Sequence, residues 1–404
     1  MRYIILVLVI VCHSAVAQKK EKPYVILVSF DGFRHDYISK FNLPNFNAFI
    51  KKGAAAEGLI PSFPSKTFPN HYTLVTGLYP GHHGLIDNYF YDKKLNLSYT
   101  MRNRDMVENP IFYGGTPLWQ LAQQQGLKSA SCFWVGSEAP VQGVFPTYYY
   151  KYDQDMPNNK RVEQVIDWLK LPKKDRPQLI TLYFSLVDTE GHNTGTNSLQ
   201  LNNTLLRADS LLGQLMHGLT KIKQPVNVIL VSDHGMLELK QEASSYITLK
   251  DLINLSDTSV ITINGGTQAH IYTGQVDSLY QHLKSKEENF VVYKKSMFPE
   301  HWHYDNPRVG DLLIVANPGY YIQTSARVFG NVFKWPVFGV HGYDAAEVKE
   351  MNGIFYAAGP NIKSGVRLEA FENVHVYPFI AFVLGLTPPQ TDGELQVLKP
   401  VYKK

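Results

Sequence analysis

The chain has 404 residues, 44% of them hydrophobic, 13% aromatic and 18% charged. That is ample apolar material for a packed core and excludes a disordered or fibrous protein. A formal charge of +4, from 39 basic and 35 acidic residues without a long run of either sign, leaves no nucleic-acid-binding patch evident.

Met1-Arg2 is followed by an apolar stretch over 3–12, then Ala15-Val16-Ala17, then a polar run over 18–22. This predicts a secretory signal peptide over 1–17, removed to leave an exported chain of 18–404, periplasmic or secreted. The apolar stretch falls short of the ~20 residues a spanning helix needs, and no later segment reaches that length, so the mature chain is expected to have no transmembrane segment. Cys12 would leave with the peptide, and Val11 before it is not the small residue of a lipid-anchor signal. Cys132 then stands alone, without a disulfide. An exported chain of that kind fits a bacterial periplasm, and the sequons at Asn96, Asn202 and Asn254 matter only on a eukaryotic secretory route.

Along the mature chain, apolar runs with β-branched and aromatic residues at 24–30, 128–133, 179–187 and 226–231 read as strands. Stretches at 43–51, 118–125 and 201–219 read as helices. Continuous apolar strands bracketed by helices predict a doubly wound α/β fold, with a central, mostly parallel sheet and helices on both faces. Over about 252–330 the pattern loosens into Gly265-Gly266, a helix at 276–286 and a strand at 312–316. A small lobe inserted into one catalytic domain is expected there.

Three of the apolar runs end in an aspartate, namely Asp31, Asp188 and Asp233. In a parallel sheet such residues emerge at the C-terminal edge, where open α/β proteins place ligands. One of them alone would read as a turn or cap residue; three together would repel one another without a positive charge among them. Histidines complete the pattern. His192 lies four residues beyond Asp188, His234 directly follows Asp233, and His341 precedes a strand-like run at 353–358 that can return it to the same edge. Carboxylate oxygens and imidazole nitrogens suit zinc. Six such ligands are too many for one zinc with an open position, and two ions are the count used in phosphoryl transfer.

Thr67 precedes Pro69 and a helix-compatible stretch over 71–76 that ends at Gly77. Its hydroxyl is therefore expected at a helix N-terminus, where a phosphate is favoured. By itself the segment would read as an ordinary N-cap. Asn88 supplies an amide donor that could bind a non-bridging phosphate oxygen.

These residues resemble the nucleotide pyrophosphatase/phosphodiesterases of the alkaline phosphatase superfamily. The resemblance runs in the family's order through Val28-Ser29-Phe30-Asp31-Gly32-Phe33-Arg34, Pro64-Ser65-Lys66-Thr67-Phe68-Pro69-Asn70-His71, Thr76-Gly77-Leu78-Tyr79-Pro80-Gly81-His82-His83-Gly84, Phe133-Trp134-Val135-Gly136-Ser137-Glu138, 188–192, 232–235 and His341-Gly342-Tyr343-Asp344. It implies an alkaline-phosphatase-like fold and two Zn2+ per chain, one held by Asp188, His192 and His341, the other by Asp31, Asp233, His234 and the Thr67 oxygen. It implies in-line attack by Thr67 on phosphorus, a phospho-threonine intermediate and release of nucleoside monophosphates. Asn88 and the backbone N–H of Phe68 would steady the phosphate oxygens, and the rings of Phe68 and Tyr183 would sandwich a base. The missing disulfides and added cysteine-rich or nuclease-like domains depart from the large animal members and imply the compact bacterial form. A phospholipid- or phosphocholine-type phosphodiesterase or a phosphonate hydrolase could use the same metal core. A non-catalytic extracellular binding protein is the reading from another class, against which the full set of ligands and nucleophile counts.

Overall fold

Strand β1 (Tyr24–Phe30) is buried along its whole length, and its two sides face different cores. Val25 and Leu27 pack with one apolar cluster, Ile26, Val28 and Phe30 with another, as the two-residue strand period requires of a sheet covered on both faces. The computed structural model describes residues 23–325 and 337–404, together with the backbone of two short strands, Val328–Phe329 and Val332–Phe333. The segment 1–17 expected to be a signal peptide lies outside the described residues.

In chain order the following strands are β2 (Ala54–Ala56), β3 (Ser129–Cys132), β4 (Tyr148–Tyr149), β5 (Leu179–Phe184) and β6 (Val226–Val231). Next come β7 (Val260–Asn264), β8 (Gln268–Thr273), β9 (Phe290–Lys294) and β10 (Leu312–Ala316). The series ends with β11 (Phe355–Ala358) and β12 (Arg367–Leu368). The central sheet has eight strands in the order β12-β2-β11-β6-β1-β5-β3-β4. From β6 to β4 all neighbours run parallel, while β11 is antiparallel to β6 and to β2. The fold is α/β with a large, mostly parallel central sheet.

The helices that matter here are α1 (Pro44–Lys52), α2 (Thr67–Thr76), α3 (Leu118–Gln124), α4 (Asn158–Lys170), α5 (Leu186–Thr194), α6 (Leu199–Leu219), α7 (Val276–Lys284) and α8 (Val376–Val383). Helices α1, α4 and α6 cover one face of the sheet, and α2, α3 and α8 cover the other. No helix among the described residues is long and apolar enough to cross a membrane. Cys132 is a free, buried thiol, pushed up to about 12 by burial, which makes it an inert packing residue.

Residues 260–316 build a separate four-stranded antiparallel sheet, β7-β8-β10-β9, with its own apolar cluster around Ala269, Ile271, Leu283 and Ile314. Two elements differ from the sequence expectation. The run expected as one strand over 179–187 stops at Phe184, and Leu186 opens α5, because an apolar run does not by itself distinguish strand from buried helix. Helix α2 begins at Thr67, four residues earlier than the stretch read as helical, with Pro69 in its first turn, where a missing N–H is no loss.

Candidate active site

Parallel register brings the carboxylates together. Phe30 pairs with Phe184 and Ser29 with Val231, so β1, β5 and β6 end level, and the residues that follow leave from one edge. The Asp188 N–H donates to the Asp31 carbonyl (3.0 Å), fixing the start of α5 against the end of β1. Gly32 is required at that crossing: its φ is +67, and a Cβ there would come within 2.9 Å of Asp188 Cα and Cβ.

All the donor residues expected from the sequence lie at this edge. Asp188, His192 and His341 each place one donor atom within 4.8 Å of the others, as do Asp31, Asp188 and His234, and Asp31, His71 and Asp233. His234 Nε2 lies 2.9 Å from Asp233 Oδ2 and 3.5 Å from Asp31 Oδ1, and Thr67 Oγ1 is 3.2 Å from the same nitrogen. His192 Nε2 is 3.3 Å and His341 Nε2 is 3.7 Å from Asp188 Oδ1.

The histidines are oriented alike. His192 Nδ1 donates to the Gly339 carbonyl (2.7 Å), His234 Nδ1 to that of Gly235 (2.8 Å) and His341 Nδ1 to that of Ser65 (2.8 Å). These backbone acceptors assign the proton to Nδ1 and turn each Nε2 lone pair toward the carboxylates. On the other side, Asp31 Oδ1, Asp188 Oδ1 and Asp233 Oδ2 are buried oxygens without a hydrogen-bond donor. Buried polar atoms are rarely left so. Unpaired carboxylate oxygens facing imidazole lone pairs fit divalent cations.

The electrostatics describe the same frustration. Burial, then the charges of Asp233 and Asp188, push the Asp31 carboxyl well above its usual range. Burial would also lift Asp233, but His234 and His71 beside it hold it well below. His341 is driven well below the ordinary imidazole range by burial and then by His234 and Lys66, so it is neutral and free to ligate. Burial acts the same way on His234, yet Asp233 outweighs it and raises that ring.

Thr67 is the first residue of α2, and Lys66 before it is extended. Asn88 faces it through a bond the sequence did not foretell: the Phe68 N–H donates to Asn88 Oδ1 (2.9 Å). The Phe68 amide expected to meet phosphate is thus engaged with Asn88, because a side-chain carbonyl sits directly over the helix start. Both residues of the expected aromatic pair lie beside the site. Phe68 and Tyr183 both line a cavity of about 260 Å3 beside Thr67, Asp31 and Asp188. The Tyr183 hydroxyl, however, donates to Asp31 Oδ2 (2.6 Å), and its ring meets His71 edge-on at 5.2 Å. Trp134 and Tyr152 complete the aromatic wall, and an Arg104–Glu138 ion pair also lines the cavity. Glu138 accepts the Tyr152 N–H (2.8 Å), and burial lifts its carboxyl above the usual range.

Two residues near the edge carried no role in the sequence reading, and a third, Tyr152, lies in the loop over 148–156 expected to help shape the pocket. His71 is fully buried, with Nδ1 3.3 Å from Asp233 Oδ2 and Nε2 2.8 Å from Ser29 Oγ. Its place four residues after Thr67, one helical turn on, was the available signal. Lys66, buried, donates to the His341 carbonyl (2.8 Å).

A family model described as type I phosphodiesterase/nucleotide pyrophosphatase matches residues 25–344. The chain belongs to this family. Human ectonucleotide pyrophosphatase/phosphodiesterase family member 1 is 34% identical over 389 residues, covering 92% of this chain and 41% of that protein. A venom phosphodiesterase of Crotalus durissus collilineatus is 35% identical over 384 residues, covering 92% of this chain and 46% of its own. The chain thus spans less than half the length of these family members. Among solved structures, murine ectonucleotide pyrophosphatase/phosphodiesterase 5, as an inactive threonine-to-alanine variant in complex with AMP, superposes with a TM-score of 0.87 at 32% identity. That match covers 95% of this chain and 100% of that one.

Proposed function

We propose that this chain is an exported phosphodiesterase that cleaves nucleotide phosphodiester or pyrophosphate bonds to nucleoside monophosphates, with Thr67 as nucleophile. The observation that carries the reading is the meeting of Thr67 Oγ1, three outward-turned imidazoles and three unpaired carboxylate oxygens beside an aromatic cavity. Asp188, His192 and His341 would hold one zinc ion, and Asp31, Asp233, His234 and Thr67 a second. When bound, such a pair supplies positive charge that stabilises the Thr67 alkoxide, the phosphate and the departing oxygen.

The protein's own residues do the remainder. Thr67 Oγ forms a bond to phosphorus as the bond to the leaving oxygen breaks, giving a phospho-threonine that water then cleaves. Asn88, its carbonyl tied to Phe68, turns its amide nitrogen toward a non-bridging oxygen, where charge grows in the transition state. The start of α2 adds its positive dipole end. Phe68, Tyr152 and Tyr183 line the slot for the base, and aromatic faces accept any base. Residues 18–404 would act as one catalytic domain carrying the β7–β10 sheet as an insertion within about 252–330.

A substrate panel tests the reading. A nucleotide diester and a dinucleoside polyphosphate are expected to be hydrolysed to nucleoside monophosphates far faster than a phosphocholine ester or a phosphonate ester. Preference for either of the latter would move the chain to a lipid- or phosphonate-cleaving role, and no turnover of any would leave a binding protein.

A further inference from the structure

The small sheet reaches into the active-site edge at the start of β8, through a chain of buried hydrogen bonds that ends at Asn88. Gln268 Nε2 donates to Asp87 Oδ2 (2.5 Å), and His270 Nε2 lies 3.2 Å from the same oxygen. His270 Nδ1 accepts the Gly310 N–H (3.3 Å), which leaves the ring proton on Nε2 and makes His270 a second donor to Asp87. Asp87 Oδ2 can only accept, so it holds the Gln268 amide with Nε2 toward it, and Thr267 Oγ1 lies 2.6 Å from Gln268 Oε1 and 3.2 Å from the His341 carbonyl. The other carboxylate oxygen, Asp87 Oδ1, accepts the Asn88 N–H (2.6 Å). Asp87, Thr267, Gln268 and His270 are all 0% exposed.

A carboxylate buried this deeply is expensive, and an apolar replacement of such a network is often no less stable. What the network does secure is direction. It anchors the backbone N–H of Asn88 while the Phe68 N–H anchors its side-chain oxygen, so the residue is held at its backbone and at the end of its side chain. We propose that Asp87, Gln268 and His270 are positioning residues, a clamp by which the small sheet aims the Asn88 amide at the reacting phosphate. The proposal rests on the reading of Asn88 given above. It assigns the small sheet a part in catalysis although Gln268 and His270 do not line the substrate cavity.

The test is a set of double-mutant cycles on the zinc-loaded full chain, assayed with bis(p-nitrophenyl) phosphate. Gln268→Leu and His270→Phe are each expected to lower kcat about ten- to a hundredfold, with KM and zinc content little changed. His270→Gln, which can still donate, is expected to keep most of the rate. Combined with Asn88→Ala, either lesion should add almost nothing, because the amide it aims is gone. Val292→Ala, buried in β9 of the same sheet and paired with Ile314 rather than with a residue of the network, should lower the melting temperature without lowering kcat. Losses that multiply with Asn88→Ala, or that follow melting temperature across all these variants, overturn the clamp. If Gln268→Leu does not fold, the two His270 variants carry the same comparison. If the parent hydrolyses no diester, the proposed function fails on its own, and crystal structures of the variants judge the clamp: an Asn88 amide displaced from the Phe68 N–H supports it, an unmoved one rejects it.

Discussion

Asn88 Oδ1 accepts the backbone N–H of Phe68 at 2.9 Å, which locks the residue after Thr67 to the amide that faces it. The carbonyl end of Asn88 therefore belongs to the protein, and its nitrogen is the end left for a ligand. Asn88→Ala is expected to lower kcat roughly a hundred- to a thousandfold while KM changes little, the signature of a contact made in the transition state. Steady-state kinetics with a small diester check this. A rise in KM at constant kcat would make Asn88 a simple binding residue.

Thr67 Oγ1 touches His234 Nε2 at 3.2 Å, but the imidazoles around it are oriented by their own backbone acceptors, and Asp31 is held by the Tyr183 hydroxyl. Thr67→Ala should therefore bind as much zinc as the parent and lose nearly all turnover. Zinc analysis and a single-turnover assay on one preparation separate the two effects, and a rate within tenfold of the parent would rule out covalent catalysis by this hydroxyl.

The two tyrosines of the cavity should separate by function. Tyr183→Phe keeps the ring but removes the donor to Asp31 Oδ2, and zinc affinity is expected to fall about ten- to a hundredfold, as loss of a hydrogen bond to a ligand does. Tyr152→Ala removes a wall of the cavity, and with base stacking worth about 1–3 kcal/mol the KM for a nucleotide diester should rise far more than that for bis(p-nitrophenyl) phosphate. Competitive zinc chelation and the ratio of the two KM values read these out. Equal KM changes on both substrates would mean that Tyr152 only packs.

A feature of this fold was legible in the sequence where it was written locally. The strand β1 and the aspartates leaving β1 and β6 were legible because a continuous apolar run and the residue closing it are local signals. The β5–α5 break was not, since Leu186 and Val187 are as apolar as the strand before them. Lys66 and the Asp87–Gln268–His270 chain were silent for a different reason. Their partners lie far away in sequence, and a buried polar residue has no local pattern that distinguishes it from a core or surface one. The family resemblance implied a place beside the base for Tyr183, but its hydroxyl bond to Asp31 arises from the register of β1 against β5.

Lys66 gives a pH dependence with a defined sign. Burial pulls its ammonium down from the usual 10.5 to about 8. Between those values the unfolded chain holds a proton that the folded chain has released, so the metal-free protein gains stability from Lys66 as pH rises through this window. Below about pH 8 both states are protonated and the burial cost, roughly 3 kcal/mol, is fully present. Lys66→Met removes it. The unfolding free energy of Lys66→Met minus that of the parent should be largest below pH 8 and shrink toward pH 10.5 in denaturant titrations. A difference that does not change with pH would contradict the burial of a charged lysine. The same variant should weaken zinc binding, since it frees the His341 carbonyl.

The central claim is that two dications share this edge with Thr67. Anomalous diffraction at the zinc absorption edge, from crystals of the zinc-loaded chain, measures it directly. The expected map has two peaks, one among Asp188, His192 and His341 and one among Asp31, Asp233, His234 and Thr67, both lost after chelation together with activity. A map without density at these residues, from a preparation that still hydrolyses diesters at full rate, would contradict the account.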